Sequence, residues 1–402
     1  MSVAASVEEI NATPVARSTF LLMAVATGVT VANLYYVQPL LHRMQQDFHT
    51  TSEVAALTVT VAQVGFAAAL ALVVPLADVV ARRKLAVGLL VLLAAAMATA
   101  ASSPSIAVLL VASAVIGLGV AAAQVIVPFA ASLAEPAGRG RVVGTVMTGM
   151  LLGTLLARTV SGALADAAGW RTVYWLGTVL VAVLAVVLAL RLPADGVREK
   201  VRYPALLASL YRVFRAEPVL RDRMLLGGLG FATFSLFWAT MAFMLAGDPY
   251  RYGTRVIGLF GLAGAAGALA ANLAGRYADR APGRLPGVVF GLCVLVSFVP
   301  LAFARQSIVL LIVGVVLLDI GVQGLQVTNQ STIYRLSAGR NGRITANYMV
   351  AYFVGGALGS WLGNLAYGIA GWTGVCGLGA IVAGLAVLVA TRARMVTGQP
   401  AV

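Results

Sequence analysis

Charge is scarce in this chain, and acidic charge most of all. Only 10% of its 402 residues are charged, with 14 Asp or Glu against 28 Lys or Arg. A soluble domain carries about 25% charge. The polar surface needed to cover a water-soluble globule is therefore absent. Cysteine is nearly absent too: Cys293 and Cys376 both fall in apolar stretches, and no disulfide framework is implied. The only histidines, His42 and His49, share one loop and read as solvated, so no metal centre is expected. Neither Lys84 nor Lys200 follows a glycine. The G-K-[ST] phosphate loop of an ATP-driven pump is thus missing. No nucleophile–base constellation lies in the apolar runs, and neither an enzyme nor a bound cofactor is expected.

What is plentiful is apolar residues, 60% of the chain. They form recurring runs of about 18 to 28 residues, each able to cross a hydrocarbon core as a helix. Twelve spans are expected. The first six are Thr19–Leu41, Val54–Ala77, Leu85–Ala101, Ile106–Leu133, Val142–Ala165 and Trp170–Leu190. The rest are Met224–Ala246, Val256–Ala278, Leu285–Phe303, Ile308–Tyr334, Ile344–Ile369 and Trp372–Ala390. The acidic N-terminal stretch MSVAASVEEI argues against a cleaved signal peptide.

The net charge of +14 does not point to nucleic acid. Of the 28 basic residues, 22 lie in alternate loops, among them Arg82, Arg83, Lys84, Arg139, Arg141 and Arg284. That is the positive-inside pattern, which places both termini and the central loop in the cytoplasm. An inner-membrane, multi-pass protein with the lipid bilayer as its solvent is expected. The segment YPALLASLYRVF puts Leu206, Leu207, Leu210, Tyr211 and Phe214 on one helical face beside Arg202, Arg212 and Arg215. An interfacial helix or a plain tether both fit.

The two sides of that loop repeat. Leu34-Tyr35-Tyr36 matches Leu236-Phe237-Trp238, Gln124 matches Gln326, and Gly169-Trp170 matches Gly371-Trp372, all at a spacing of 202 residues. Asp78 and Asp279 are 201 apart. The division is residues 1–191 as one six-helix bundle, 192–221 as linker and 222–402 as the second bundle. Parallel repeats with a binding site at their interface are a transporter layout. The internal repeat leads us to expect a monomer.

The tenth span is the least lipid-like. Asp319, Gln323, Gln326 and Gln330 fall within a roughly 60° stripe at 100° per residue. Lipid cannot solvate such a stripe, so it faces protein or a water-filled cavity. Asp319 is the only acid within the expected spans, and Arg158 is the basic residue within the fifth. Counted from the arginine-poor ends, they lie at depths of about 20 Å and about 18 Å.

The loop Gly275-Arg276-Tyr277-Ala278-Asp279-Arg280-Ala281-Pro282-Gly283-Arg284 resembles the G-x-x-x-D-R-x-x-G-R signature of the major facilitator superfamily. Val74-Pro75-Leu76-Ala77-Asp78, followed by Arg82-Arg83-Lys84, resembles a degenerate copy. The stretches Asn33–Leu41 and Leu156–Gly162 resemble the YnfM-type, or acriflavine-sensitivity, group, bacterial relatives of proton-coupled drug exporters. The exporters' fifth-span pattern is only partly present, as Gly149, Gly153, Thr154, Ala157 and Arg158. The resemblance implies an all-α fold of twelve transmembrane helices in two six-helix bundles. It also implies export of small amphipathic organic compounds by proton antiport, with proton-coupled or facilitated uptake as the alternative.

On that basis Asp319 is expected to carry the proton and Arg158 to tune it, as a pair spanning the halves. Removal from water favours a protonated carboxyl, while a nearby guanidinium favours the ionised one. The expected solute lining is Asn33, Tyr35, Tyr36, Gln124, Phe237, Trp238, Gln323, Gln326 and Asn329, with Asn347, Tyr348 and Tyr352 as further candidates. Asp78, Arg82, Asp279, Arg280 and Arg284 are the expected gate. Gly258, Gly261, Gly264 and Gly267 recur every three residues and read as close-packing positions.

Overall fold

The computed structural model describes residues 16–135, 138–193, 202–264, 284–336 and 341–394. Among them the chain is helical throughout. In the first half, α1 (Arg17–Ala32) leads through a turn and a 3-10 segment to α2 (Leu41–Asp47). There follow α3 (Ser52–Ala68), α4 (Arg82–Ala101), α5 (Ile106–Val120), α6 (Ala122–Leu133), α7 (Arg139–Ala168) and α8 (Trp170–Arg191). The connecting helix is α9 (Tyr203–Ala216). The second half holds α10 (Pro218–Ala246), α11 (Thr254–Gly264 as described), α12 (Leu285–Ala302), α13 (Ile308–Tyr334) and α14 (Asn341–Arg392). Counting α5–α6 as one broken span and α14 as two, this makes twelve crossings in two six-helix bundles. Large apolar side chains stay exposed on the outside, Leu190 and Ile369 each at 77%. That is the surface expected of a chain solvated by lipid.

Local chemistry sets the ends of these helices. Thr51, Ser105 and Ser307 cap α3, α5 and α13 by accepting the amides of Val54, Val108 and Leu310. Gly169 (φ 83°) and Gly371 (φ 57°) turn the chain at the two copies of the Gly-Trp repeat. Only glycine adopts that backbone without strain. Each following tryptophan is then fastened: Trp170 Nε1 donates to Asp47 Oδ2 at 2.7 Å, and Trp372 Nε1 to the Leu301 carbonyl at 2.7 Å. Burial alone would raise the Asp47 carboxyl. The bonds from Trp170 and Arg171, with the charges of Arg171 and Arg43, hold it below its ordinary range.

The repeat also governs packing. A Cβ on Gly153 would lie 2.1 Å from the Gly28 carbonyl, so α7 meets α1 backbone to backbone. In the other half, a Cβ on Gly355 would lie 2.2 Å from the Gly228 carbonyl where α14 meets α10. Small residues supply close approach where no hydrophobic force drives helices together.

Three spans depart from plain helices. The first ends early because Asn33 Nδ2 takes the Val29 and Thr30 carbonyls, at 2.7 and 3.3 Å, and Pro39 brings no amide. The second passes at Ala69–Val73 into a π turn and at Val74–Asp78 into 3-10 geometry, around Pro75. The fourth breaks at Ala121. On α9 the buried face is Leu206, Ser209 and Val213, while Tyr211 is 59% exposed. Ser209 can face protein because its hydroxyl donates to the Leu206 carbonyl at 2.6 Å.

The halves meet along two seams on the arginine-poor side. At α3, Thr60 Oγ1 donates to Ser360 Oγ (3.1 Å), Gln63 Nε2 to Ser235 Oγ (3.0 Å), and Phe66 stacks edge-on to Phe353. At α7, Thr159 donates to the Gly258 carbonyl (3.1 Å), and Gly162 lies on Thr254.

Candidate solute and proton site

Arg158 sits on α7 and is 3% exposed. Its Nε donates to Gln38 Oε1 at 2.5 Å, from the irregular segment after α1. Its guanidinium carbon lies 4.0 Å from the Trp238 ring centroid, 5.0 Å from Tyr35 and 5.6 Å from Phe234. A desolvated guanidinium over aromatic faces gains about 2 kcal/mol from such contacts. That offsets only part of the penalty for burying a charge.

Asp319 sits on α13 in the opposite half and is 4% exposed. It is close enough to Arg158 for the two charges to attract. They do not form the direct ion pair expected from the sequence. The ion pairs formed between described residues, such as Arg171–Asp47 and Arg251–Asp248, are exposed and lie at the arginine-poor ends. Trp238 borders both groups instead. Its Nε1 neighbours the carboxylate but lacks the geometry of a formed hydrogen bond. Arg158 Nη2, Trp238 Nε1 and Asp319 Oδ1 are all buried without a hydrogen-bond partner among the described residues. The indole of Trp238 on α10 adjoins both charges, and sequence depth could not reveal it.

The floor of this cluster is α11. A Cβ on Gly261 would lie 2.9 Å from Arg158 Cβ, and one on Gly264 would lie 2.3 Å from Asp319 Oδ2 and 3.2 Å from Trp238 Cζ2. Gly258, Gly261 and Gly264 of the glycine repeat thus mark the surface on which both charges rest, while Gly267 lies outside the described residues. Gly264→Ala should cut transport about tenfold, the scale of an overpacking strain of 1–3 kcal/mol. Gly377→Ala, whose Cβ would meet nothing within 4 Å, should leave transport unchanged. Initial rates of solute transport compare the two. Beside the cluster Gln38, Pro39, Arg158, Trp238, Met241, Ala242 and Ile257 line a narrow crevice that, in this conformation, does not admit a water molecule.

The other expected lining residues divide. Tyr35 and Trp238 join the cluster. Asn33 is tied to its own helix and lies against Gly177 of α8. Tyr36 is half-buried within the first half. Phe237 packs edge-on against Trp238 and Trp372 in the second-half core. Gln124 and Gln323 are half-buried. Gln326 Oε1 accepts from Tyr352 (3.1 Å), and Asn329 Nδ2 donates to Tyr348 (3.5 Å). The polar stripe of α13 is therefore shared between the charge cluster and the tyrosines of α14. Gln38 and Phe234 were missed as site residues. Gln38 stands inside the Asn33–Leu41 stretch, but only the fold shows that it holds Arg158.

Of the expected gate, Asp78 is exposed. Arg82 donates to Ser132 Oγ (3.0 Å), and Arg284 to the Ala393 and Thr391 carbonyls (2.6 and 3.0 Å), each within its own half. Asp279 and Arg280 lie outside the described residues.

Two repeated six-helix halves, meeting around a buried cation, an indole and an acid, define a membrane transporter rather than a helical scaffold. The chain belongs to the Major Facilitator Superfamily, whose sequence profile matches residues 23–358. It is 46% identical over 362 residues to the uncharacterized transporter YgaY of Escherichia coli O157:H7, covering 90% of this chain and 92% of that one. A transporter of Streptomyces coelicolor is 33% identical over 358 residues, covering 88% and 83%. Among solved structures, a bacterial homologue of the human lysosomal transporter Spinster, inward-facing and occupied, aligns with a TM-score of 0.76 at 13% identity over 95% and 98% of the chains. A peptide transporter in complex with alafosfalin aligns at 0.73 and 15% identity over 94% and 96%. Those two likenesses carry the fold.

Proposed function

We propose that this transporter exports small amphipathic organic solutes by proton antiport, through alternating access, in a bacterial inner membrane with both termini cytoplasmic. Asp319 carries the proton. Arg158, held by Gln38, sets how readily the carboxyl gives it up. One observation carries this reading: two buried opposite charges, one in each half, flank the same indole and rest on the same glycine face without closing an ion pair. A rocking of the halves changes their separation, and with it the relative stability of the protonated and ionised carboxyl. Solute and proton then compete at Asp319, whose Oδ1 has no partner among the described residues. Tyr35 and Trp238 supply stacking surface for an apolar body once the crevice beside them widens.

Proton-coupled uptake is the second reading. Arg158 Nη2, also without a partner among the described residues, favours it, because a solute anion there would bind together with the proton.

The seams supply a test of alternating access. In this reading the arginine-poor side is closed, with Thr60 and Ser360 in contact. The pair Thr60→Cys/Ser360→Cys should form a disulfide under mild oxidation, stop transport and recover on reduction. Unimpeded transport by the oxidised, cross-linked protein would rule out rocking about that seam. The vector is read in proteoliposomes under an imposed pH gradient with a compound panel. Compound-induced proton movement opposite to the solute supports antiport, and movement with it supports uptake.

A further inference from the structure

The helix α9 connects the halves and belongs to neither. Tyr203 Oη donates to the Leu72 carbonyl of the first half at 2.5 Å, and Asn347 Nδ2 of α14 donates to the Leu210 carbonyl at 3.1 Å. Leu206, Ser209 and Val213 are buried against the bundles. The opposite face carries Ala208, Tyr211, Arg212 and Arg215, all exposed, with Arg202 exposed at the helix start. Its fourteen residues include no acid. Neither Arg212 nor Arg215 has an ion pair with a described carboxylate, and the Arg215 guanidinium leans over the Tyr211 ring at 6.0 Å. Between the two faces runs a half-buried apolar edge of Leu207, Leu210 and Phe214.

We propose that this face is a docking surface for the phosphate headgroups of acidic membrane lipids, held by Arg212 and Arg215 with Tyr211 at the headgroup level. Three observations select lipid as the occupant. First, α9 packs against the Val74–Asp78 turn, α14 and α10, whose first residue is Pro218, the level at which the spans leave the bilayer. Second, the half-buried apolar edge beside the basic face suits the acyl boundary, as in helices that lie in a membrane interface. Third, basic residues there meet the negative potential of acidic lipids, each strengthening surface binding about fivefold. Because α9 is bonded to both halves, lipid held on it restrains their relative motion.

The experiment is hydrogen–deuterium exchange of the full chain in bilayer discs of phosphatidylcholine with or without phosphatidylglycerol. Amides of Tyr203–Ala216 should exchange at least fivefold more slowly with the acidic lipid, and raised salt should abolish the difference. Arg212→Gln/Arg215→Gln should remove it, while exchange in α10 and α14 stays unchanged as the folding control. Arg392→Gln, at the far end of α14, should retain it. Equal exchange in both bilayers overturns the proposal, as does protection that persists in the double variant or at high salt. Protection by inorganic phosphate alone, in phosphatidylcholine discs, would assign a free-anion site and also overturn it.

Discussion

The Asp319→Asn protein should insert, fold and still exchange solute, yet lose all accumulation driven by a pH gradient. Asn keeps the size of Asp and fits against Gly264 and Trp238, but it cannot take up a proton. One proton moving through a driving force of about 100 mV supplies about 2.3 kcal/mol, enough for a solute gradient of roughly 50-fold. Wild-type proteoliposomes should approach such a ratio, and the variant should stop at equal concentrations on both sides. Solute counterflow, which needs no proton, should survive and show that the cavity still works. Asp319→Glu restores the charge but must fit a longer chain beside an oxygen only 2.3 Å from a Cβ on Gly264, so partial rescue is expected. Full gradient dependence in the Asn variant would remove Asp319 from the coupling path.

The second large effect is at Arg158. Removing one of two buried opposite charges is destabilising, because the other is left uncompensated. Arg158→Leu also abandons Gln38 Oε1, so its thermal unfolding in detergent should fall sharply. Arg158→Leu/Asp319→Leu should recover part of that loss, since no lone charge remains. The departure from additivity measures the coupling across Trp238. Strict additivity would mean that the two groups do not sense each other, and the tuning role of Arg158 would fall with it. Gln38→Leu should reproduce a milder form of the Arg158 defect, visible in the pH dependence of transport.

Much of the architecture follows from composition alone. Twelve apolar runs, scarce acid and a repeat at 202 residues leave few folds available, because only helices satisfy their own backbone in lipid. Ile308–Tyr334 coincides with its helix end for end, since a serine cap and a continuous apolar run define it locally. Asp319 and Arg158 also declare themselves, because an ionisable residue in an apolar run has no cheap place to go.

Which groups meet is a different matter. Asn33 reads as a cavity residue in the chain, but its amide is taken up by the two carbonyls that end α1. Gln38 reads as part of a span, yet the unwinding after α1 turns it onto Arg158. The glycine repeat of α11 reads as packing, and becomes the floor under both charges only once α7 and α13 lie against it.

Periodicity and charge placement, properties of neighbouring residues, determine the spans, the twofold repeat and the two buried charges without reference to a fold. That Trp238 adjoins both charges depends on how two halves about 200 residues apart interlock. That is decided by the shapes of side chains at the crossing of α7, α10, α11 and α13, where a missing Cβ or one indole sets the separation, and no local pattern encodes it.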